Sequence, residues 1–251
     1  MDVPENNIEL DFGKKIAHSL VVIATALANV ESQEHWILSY NGGKDSCVMF
    51  FLTQSLLSKS GNDPILTYLQ ENGFDKQLAE INSIKESLKF SWRYAYFEYK
   101  QEEEFKEVLE YCSDIEAEYG INIEKYHNKI KEDLETLVRD ESVSTILIGN
   151  RNTDPYSASL KHVENSSPGW PDFTRIHPII DWDYHEVWRF INFFKFKVPC
   201  LYEQGYTSLG RVHNTRKNPH LQKPSSGEGP AEYYPAWMLK DASKERESRV
   251  K

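Results

Sequence analysis

Two glycines followed by charged and hydroxyl-bearing residues mark the part of the sequence best suited to bind phosphate. The segment reads Asn41-Gly42-Gly43-Lys44-Asp45-Ser46 and directly follows a short apolar run, residues 36–40. Paired glycines allow a tight turn with positive φ and let the backbone approach an anion closely. A helix that begins at once afterwards offers free N–H groups and the positive end of its dipole. The pattern predicts a phosphate loop, to which Lys44 adds a charge and Ser46 a hydroxyl.

This loop differs from the two commonest nucleotide-binding loops. A Walker A loop has a glycine five residues before the position of Gly43, and Leu38 stands there. The segment also lacks the G-x-G-x-x-G spacing of a Rossmann dinucleotide site. The alternative interpretation is a glycine turn that caps a strand, with Lys44 and Asp45 merely solvated. The position directly after the first strand favours phosphate binding.

A second polar segment follows another buried strand, predicted at residues 143–148. It reads Gly149-Asn150-Arg151-Asn152-Thr153-Asp154-Pro155-Tyr156. The carboxyl ends of parallel strands lie at one edge of a sheet, so this segment can face the first loop. Arg151 suits a phosphate and Asp154 suits a cation. The alternative is an Asx turn with Pro155.

The spacing of apolar residues predicts the elements that must position these loops. Strands are expected at residues 36–40, 65–69, 92–97 and 143–148, with helices at 15–30, from 48 to near 61, 78–88, 105–119 and 123–138. Alternating strands and helices predict an α/β fold: a Rossmann-like open, mostly parallel sheet with helices on both faces. From residue 197 onwards the chain is rich in proline and predicted loops. We therefore divide it into an α/β domain, 1–196, and a C-terminal extension, 197–251.

Composition narrows the functional classes. The formal net charge is −10, which disfavours broad contact with nucleic acid or with a membrane surface. No run of 18 apolar residues and no signal peptide are present. The three widely spaced cysteines are typical of free thiols in a reducing compartment. We expect a cytoplasmic protein with small-molecule partners, no nucleic acid and no membrane, and a monomer as the working hypothesis.

The glycine loop resembles the S/N-G-G-K-D-S signature of the PP-loop pyrophosphatase superfamily. Members of this superfamily cleave ATP between its α and β phosphates and form adenylylated products. Their fold is of the adenine nucleotide alpha hydrolase type. Adenine is usually held by backbone near the end of the second strand, which the resemblance places at Thr67, Tyr68 and Leu69.

Further motifs, in order, resemble the eukaryotic FAD synthases, FMN adenylyltransferases related to PAPS reductase. They read Ser167-Pro168-Gly169-Trp170-Pro171, Arg175-Ile176-His177-Pro178-Ile179-Ile180-Asp181-Trp182, Pro199-Cys200-Leu201-Tyr202-Glu203-Gln204-Gly205-Tyr206-Thr207-Ser208-Leu209-Gly210 and Glu245-Arg246-Glu247-Ser248-Arg249. The resemblance implies that AMP passes from ATP to FMN with the help of Mg²⁺, giving FAD and pyrophosphate. It also implies that residues 1–196 bind ATP and that the extension completes the flavin site.

Residue roles follow from the same resemblance. Asn41, Asp45, Asp154, Arg246 and Arg249 are the implied catalytic residues, and Asp45 and Asp154 the implied metal ligands. The implied nucleotide- and flavin-binding residues are Tyr40, Gly42, Gly43, Lys44, Ser46, Tyr68, Gly149, Arg151, Ser167, Pro168, Gly169, Trp170, Arg175 and Asp181.

Two departures from the family pattern bear on these roles. Asn152 replaces a second arginine, and Ser167 replaces an aspartate that is linked to holding the flavin ring. Alternatives are another PP-loop enzyme, such as a sulfonucleotide reductase, a sulfurylase subunit or a tRNA-modifying enzyme, and a nucleotide or flavin sensor without activity. A reductase of this kind needs a nucleophilic cysteine in a C-terminal Glu-Cys-Gly segment, and no cysteine follows Cys200.

Several conspicuous residues have structural interpretations. Asp183 and Glu186 are spaced as a capping pair at a helix start. Trp182 and Trp188 are expected in the core. His177 and His185 have no metal-ligand partners at useful spacing, so we predict no zinc site.

Overall fold

A computed structural model of the protein describes residues 5–30, 35–58, 62–87, 93–98, 102–224 and 230–250. Its helices are α1 Glu5–Ala28, α2 Lys44–Leu57, α3 Pro64–Glu71, α4 Asp75–Ser87, α5 Lys106–Tyr119, α6 Ile130–Arg139 and α7 Tyr184–Phe194. Its strands are β1 Trp36–Ser39, β2 Tyr94–Phe97, β3 Ile123–Tyr126, β4 Thr145–Leu147, β5 Val163–Asn165 and β6 Thr174–Ile176. Leu88, Gly61 and Trp92, at the expected ends of three elements, lie outside the described residues.

The six strands form one mixed sheet in the order β3-β2-β1-β4-β6-β5. All neighbours pair in parallel except β5 and β6, which are antiparallel. Strand order reverses between β1 and β4, because the chain moves outward from β1 on one side and from β4 on the other. Ligands of open α/β sheets bind at the carboxyl edge beside such a reversal. Both polar loops leave the sheet there.

The two faces of the sheet are covered unequally. Alternate residues of β1 point to opposite faces: Trp36 and Leu38 belong to a large apolar cluster with α1, α2, α5 and α7, whereas Ile37 belongs to a smaller cluster with α6. Strands buried on both faces read as near-continuous apolar runs, which is why β1 and β4 were visible in the sequence. The predicted fold class is confirmed.

The strand predicted at residues 65–69 is wrong. These residues lie in α3, where Pro64 occupies the first turn and the Asp63 carboxylate accepts hydrogen bonds from the N–H groups of Ile65 and Leu66. An N-cap aspartate before proline is a helix-start signal that outweighed the apolar run. The second strand of the fold is β2, so Tyr68 is not placed at the end of a strand.

The single helix predicted at residues 123–138 is also wrong. Ile123–Tyr126 forms β3 and pairs with β2 in parallel, and α6 begins at Ile130. The buried Asp133 accepts hydrogen bonds from the backbone and side-chain nitrogens of Asn128, at 3.0 and 2.8 Å, and so fixes the turn between them.

The C-terminal extension contains loops and short 3-10 helices, Cys200–Gln204, Val212–Asn214, Pro219–Leu221, Ala236–Met238 and Ala242–Ser248. Its residues Leu201, Tyr202 and Leu239 belong to the large apolar cluster. Trp182 and Trp188 are core residues, and Asp183 with Glu186 forms the expected capping box. Among the described residues, no helix is long and apolar enough to cross a membrane.

Candidate active site

The glycine loop is held in shape by the side chain of its first residue. The Asn41 Oδ1 atom accepts hydrogen bonds from the Gly43 N–H and from the Ser46 hydroxyl, both at 2.9 Å. Gly42 adopts a φ of 69°, and α2 begins directly after Gly43. Asn41 and Ser46 thus fix the turn and leave the start of α2 facing the sheet edge.

Helix α5 packs closely behind the loop at Gly42. A Cβ on Gly42 would lie 3.1 Å from Val108 Cγ1 and 3.2 Å from Cys112 Sγ. Both the positive φ and these contacts oppose a larger residue. Gly42 therefore shapes the loop from behind and does not line the cavity in front of it.

In front of the loop lies a cavity of about 460 Å³, which we call the main cavity. It brings together nine residues predicted for the site: Asn41, Gly43, Lys44, Asp45, Ser46, Gly149, Asp154, Arg246 and Arg249. They come from three segments that are far apart in the sequence. The carboxyl edge of the sheet and the last turn of the chain therefore face each other, as expected from the motifs.

A buried charge cluster forms the floor of this cavity. The Lys44 Nζ atom lies 2.9 Å from Asp45 Oδ2 and also bonds Glu245 Oε1. The Arg151 guanidinium bonds both oxygens of Glu245 at 2.8 Å through Nη2, and its Nε lies 2.9 Å from Asp45 Oδ1. Asp154 Oδ1 lies 3.3 Å from the same Nη2. Two cations are thus shared among three carboxylates.

Arg151 has a different place from the one its predicted phosphate contact suggests. Its side chain is fully buried and does not line the main cavity. Its guanidinium is surrounded by the carboxylates of Asp45, Asp154 and Glu245, so the residue joins these three side chains beneath the cavity floor. The cationic residues that line the main cavity are Lys44, Arg246 and Arg249.

The two aspartates of the cavity differ in acidity. Burial raises the pKa of Asp45, but the attraction of Lys44 and Arg151 outweighs it and holds the pKa below its usual value. Burial, with the added repulsion of Asp45, leaves the pKa of Asp154 above its usual value in spite of Arg151. A further cation near Asp154 would favour its charged form.

A smaller cavity of about 330 Å³ adjoins the first along β1 and β2. The two share Ser39, Asn41, Gly43, Leu209 and Arg249. Tyr40, Tyr96 and Phe97 also line the smaller one, together with an ion pair of Glu104 and Arg211. The Arg211 Nη2 atom donates to the Phe97 carbonyl at 3.0 Å.

Sequence reasoning missed three residues of the site. Tyr202 places its hydroxyl 2.7 Å from the Lys44 backbone nitrogen, and Glu245 and Arg211 form the ion pairs described above. Tyr202 and Glu245 stand inside quoted motifs, but neither had been given a role. Arg211 follows the motif that ends at Gly210 and carried no local signal.

Six of the predicted nucleotide- and flavin-binding residues, between positions 167 and 181, line neither cavity. Ser167-Pro168-Gly169-Trp170 forms an exposed turn, and Trp170 is 42% exposed, which rules out ordinary core packing for its side chain. Arg175, on β6, pairs with Glu164, and the Asp181 carbonyl accepts from Lys15. Their contact with flavin stays a prediction.

Tyr68 is occupied elsewhere. Its ring packs against Phe193 and Phe194, with centroids 5.0 and 5.7 Å away. The backbone predicted to hold adenine, Thr67 to Leu69, is therefore helical and lines neither cavity; the strand that ends beside the smaller cavity is β2.

No cysteine takes the role of a buried nucleophile here. Burial raises the pKa of Cys47 to about 12, and the same cause raises the pKa of Cys112 to about 12. Thiols with such values remain protonated near neutral pH. Cys200 is exposed on the C-terminal extension and does not line either cavity.

Comparison with known proteins identifies the family. Residues 35–217 match the phosphoadenosine phosphosulfate reductase domain family. The probable FAD synthase of Schizosaccharomyces pombe is 32% identical over 217 residues, which cover 86% of this chain and 72% of that protein. The chain belongs to the FAD synthases of this family.

Other members of the FAD synthase family agree with this placement. The flavin adenine dinucleotide synthase of Saccharomyces cerevisiae is 28% identical over 226 residues, 84% of this chain and 68% of that protein. The crystal structure of Candida glabrata FMN adenylyltransferase in complex with FAD and inorganic pyrophosphate has the same fold. It aligns with a TM-score of 0.75 at 23% identity, covering 96% of this chain and 88% of that chain.

Proposed function

We propose that the chain transfers AMP from ATP to FMN and releases pyrophosphate, giving FAD. The observation that carries this proposal is the main cavity, in which an FAD synthase glycine loop, Lys44 and two carboxylates meet at the reversal of strand order. An oxygen of the FMN phosphate forms a bond to the α-phosphorus of ATP, and the bond from that phosphorus to the pyrophosphate oxygen breaks.

The chemistry demands positioning more than proton transfer. A phosphate monoester is largely dianionic near neutral pH, so the attacking oxygen needs no strong base. Loop N–H groups and Lys44 hold the departing pyrophosphate, and Arg246 and Arg249 neutralise charge from the opposite wall. Aligning two reactants and stabilising developing charge are the main contributions available to such a site.

We assign the adenosine of ATP to the smaller cavity. It adjoins the glycine loop and lies where β1 and β2 end. Adenine was expected at the end of the second strand, and that strand is β2 because residues 65–69 are helical. Tyr96 and Phe97 offer aromatic walls, and Arg211 and Glu104 offer polar groups. The triphosphate then runs from this cavity across Gly43 into the main cavity.

The residues of the main cavity fit a magnesium ion. Mg²⁺ is usually bound by one or two carboxylates together with substrate phosphates. Asp45 and Asp154 both line the cavity and lie on the same guanidinium, Arg151. Burial raises the pKa of Asp154 in spite of Arg151, so a further cation beside this carboxylate would favour its charged form. A magnesium ion held by these two carboxylates would supply positive charge that neutralises the phosphates of the substrates.

The remaining parts of the proposal concern the flavin. The isoalloxazine ring would leave the main cavity towards the extension, with Arg249 and the exposed turn at Trp170 as candidate contacts. We retain residues 197–251 as the part that completes the flavin site. We also propose a cytoplasmic monomer acting on small molecules, with no nucleic acid partner.

The test is incubation of purified protein with ATP, MgCl₂ and FMN, followed by chromatography for FAD and pyrophosphate. FAD should form with FMN and not with riboflavin, which lacks the nucleophilic phosphate. A sensor without activity would bind nucleotide and make no FAD. A sulfonucleotide reductase would instead reduce phosphoadenosine phosphosulfate in the presence of a thiol donor.

A further inference from the structure

Glu245 joins three segments of the site through one buried carboxylate. It lies in the 3-10 helix Ala242–Ser248, and its side chain is 9% exposed. Oε1 bonds Lys44 Nζ of the glycine loop, and both oxygens bond Arg151 Nη2 of the second loop at 2.8 Å. The next residue, Arg246, stands on the cavity wall.

The contacts of Lys44 show what this carboxylate does. A lysine ammonium has three N–H donors on a flexible stem. One donor of Lys44 meets Asp45 Oδ2 and a second meets Glu245 Oε1. Lys44 is among the residues that line the main cavity, and its ammonium also lies 5.6 Å from the centre of the Tyr184 ring. One N–H of the ammonium therefore has no carboxylate partner. Two carboxylates thus fix the direction of the remaining N–H.

Anchoring of the chain end does not require the Glu245 side chain. The Thr207 hydroxyl donates to the backbone carbonyl of Glu245 at 2.6 Å, and the Thr207 N–H donates to Ser248 Oγ at 3.0 Å. The Asn218 side-chain nitrogen donates to the Lys244 carbonyl at 2.8 Å. These contacts hold the 3-10 helix in place, whereas the Glu245 carboxylate bonds only Lys44 and Arg151 among the described residues.

We propose that Glu245 is a positioning residue for adenylyl transfer: it orients Lys44 towards the leaving pyrophosphate and ties Arg246 to the same unit. This inference rests on the proposed function. Glu245 does not contact the substrate directly, since its carboxylate oxygens are bonded to Lys44 and Arg151. Its removal would free Lys44 to turn and would leave Arg151 with two carboxylates.

The experiment compares pyrophosphate binding by isothermal titration calorimetry, with MgCl₂ present, in the whole protein and in three variants. Glu245→Gln removes the charge at nearly unchanged size. Ser248→Ala removes contacts that anchor the same segment without touching either cation. Glu247→Gln removes one negative charge from an exposed neighbour that pairs with Lys244 and His220.

Glu245→Gln should weaken pyrophosphate binding about ten- to a hundredfold, the range for one charge-assisted hydrogen bond, and should lower kcat for FAD formation similarly. Ser248→Ala and Glu247→Gln should bind pyrophosphate as the wild type does. Equal or tighter binding by Glu245→Gln would show that the carboxylate competes with phosphate and would overturn the inference. An equal loss in Ser248→Ala would overturn it too, because the segment's anchoring would then explain the effect.

If Glu245→Gln does not fold, Glu245→Asp takes its place, since it keeps the charge but retracts the carboxylate by one methylene. Weakened binding then supports positioning, and wild-type binding overturns it. A protein that makes no FAD yet shows the pyrophosphate differences contradicts the proposed function only, whereas a wild type that binds no pyrophosphate contradicts the role of Glu245.

Discussion

The hydroxyl oxygen of Tyr202 lies 2.7 Å from the backbone nitrogen of Lys44 and accepts its hydrogen bond. The ring is buried against Trp188, with centroids 5.0 Å apart, while the hydroxyl reaches the wall of the main cavity. A phenol that accepts this bond keeps its own proton available for a ligand. A residue of the C-terminal extension thus completes the start of α2, where phosphate is expected.

Replacing Tyr202 with phenylalanine should reduce kcat/KM for ATP about tenfold, because one hydrogen bond to phosphate and the acceptor for the Lys44 N–H are lost together. Steady-state kinetics with ATP varied would measure it. Tyr184→Phe is the matched control, since it removes a buried hydroxyl that bonds the Ala236 carbonyl at 2.7 Å and lines neither cavity. Equal losses in both variants would refute a specific role for Tyr202.

Gly210 provides the space that Arg249 occupies. A Cβ at position 210 would overlap the guanidinium of Arg249, which also bonds the Leu209 carbonyl. Because the obstacle is the end of a flexible side chain, Gly210→Ala should fold normally and displace Arg249. We expect kcat/KM for FMN to fall roughly ten- to a hundredfold, as in Arg249→Ala, through loss of a charge-assisted contact.

The double variant provides the decisive comparison. Gly210→Ala should cause no further loss in an Arg249→Ala background, because both changes remove the same contact. Additive losses would mean that Gly210 serves the backbone and not Arg249. The same kinetics in Arg246→Ala would separate the two arginines.

Local patterns predicted the parts of the site that are local. Asn41 to Ser46 and Gly149 to Asp154 each follow a strand directly, so their positions at one sheet edge followed from the α/β alternation. The misassigned helix α3 shows the limit: its short apolar run fits either structure, and only the cap at Asp63 and Pro64 distinguishes them.

Contacts between distant segments were beyond sequence reasoning. Glu245 meets Lys44 across 201 residues, and Tyr202 meets the same residue across 158. No periodicity encodes such pairs, because they depend on how the extension folds back over the sheet edge. Arg151 is an example: its charge predicts phosphate contact from the sequence, but in the fold three carboxylates from distant segments surround its guanidinium.

Replacing Asp45 and replacing Asp154 should change the stability of the protein differently, although both residues should be needed for turnover. The depressed pKa of Asp45 means that its charged form stabilises the fold at neutral pH, a contribution lost as the pH falls. The raised pKa of Asp154 has the opposite sign, so its ionised form opposes folding at neutral pH. Asp45→Ala should therefore unfold at lower urea concentration than Asp154→Ala.

Both alanine variants should lose most FAD formation, and any residual activity should require more MgCl₂. Rates measured over a MgCl₂ series would show this. Glu124→Gln is the control, because Glu124 also pairs with an arginine, Arg93, but lines neither cavity. Full activity in both aspartate variants would show that these carboxylates serve the turns alone.

Trp170 should contact the flavin ring when FMN is bound. Its backbone N–H donates to the Ser167 carbonyl at 3.1 Å, which holds the turn, while the indole stays half exposed. FMN should quench protein fluorescence less in Trp170→Phe than in the wild type, since a flat ring stacks on an exposed aromatic face. Trp237→Phe removes another partly exposed tryptophan, and FMN should quench the fluorescence of this variant as much as that of the wild type. Identical quenching in all three proteins would assign the contact to a different aromatic residue.

His177 should make the stability of the protein depend on pH below neutrality. Its side chain is fully buried beside Arg175, and burial first, then that arginine, lowers its pKa from 6.5 to about 4. Between these two values the unfolded chain gains a proton that the folded chain does not, so stability is full above pH 6.5 and is lost as the pH falls towards 4. The free energy of unfolding should drop by about 2 kcal/mol between pH 7 and pH 5 from this residue alone. Urea unfolding of His177→Asn should show a pH dependence smaller by that amount, whereas the exposed His220→Asn should behave as the wild type. An unchanged pH dependence in His177→Asn would mean that other groups carry it.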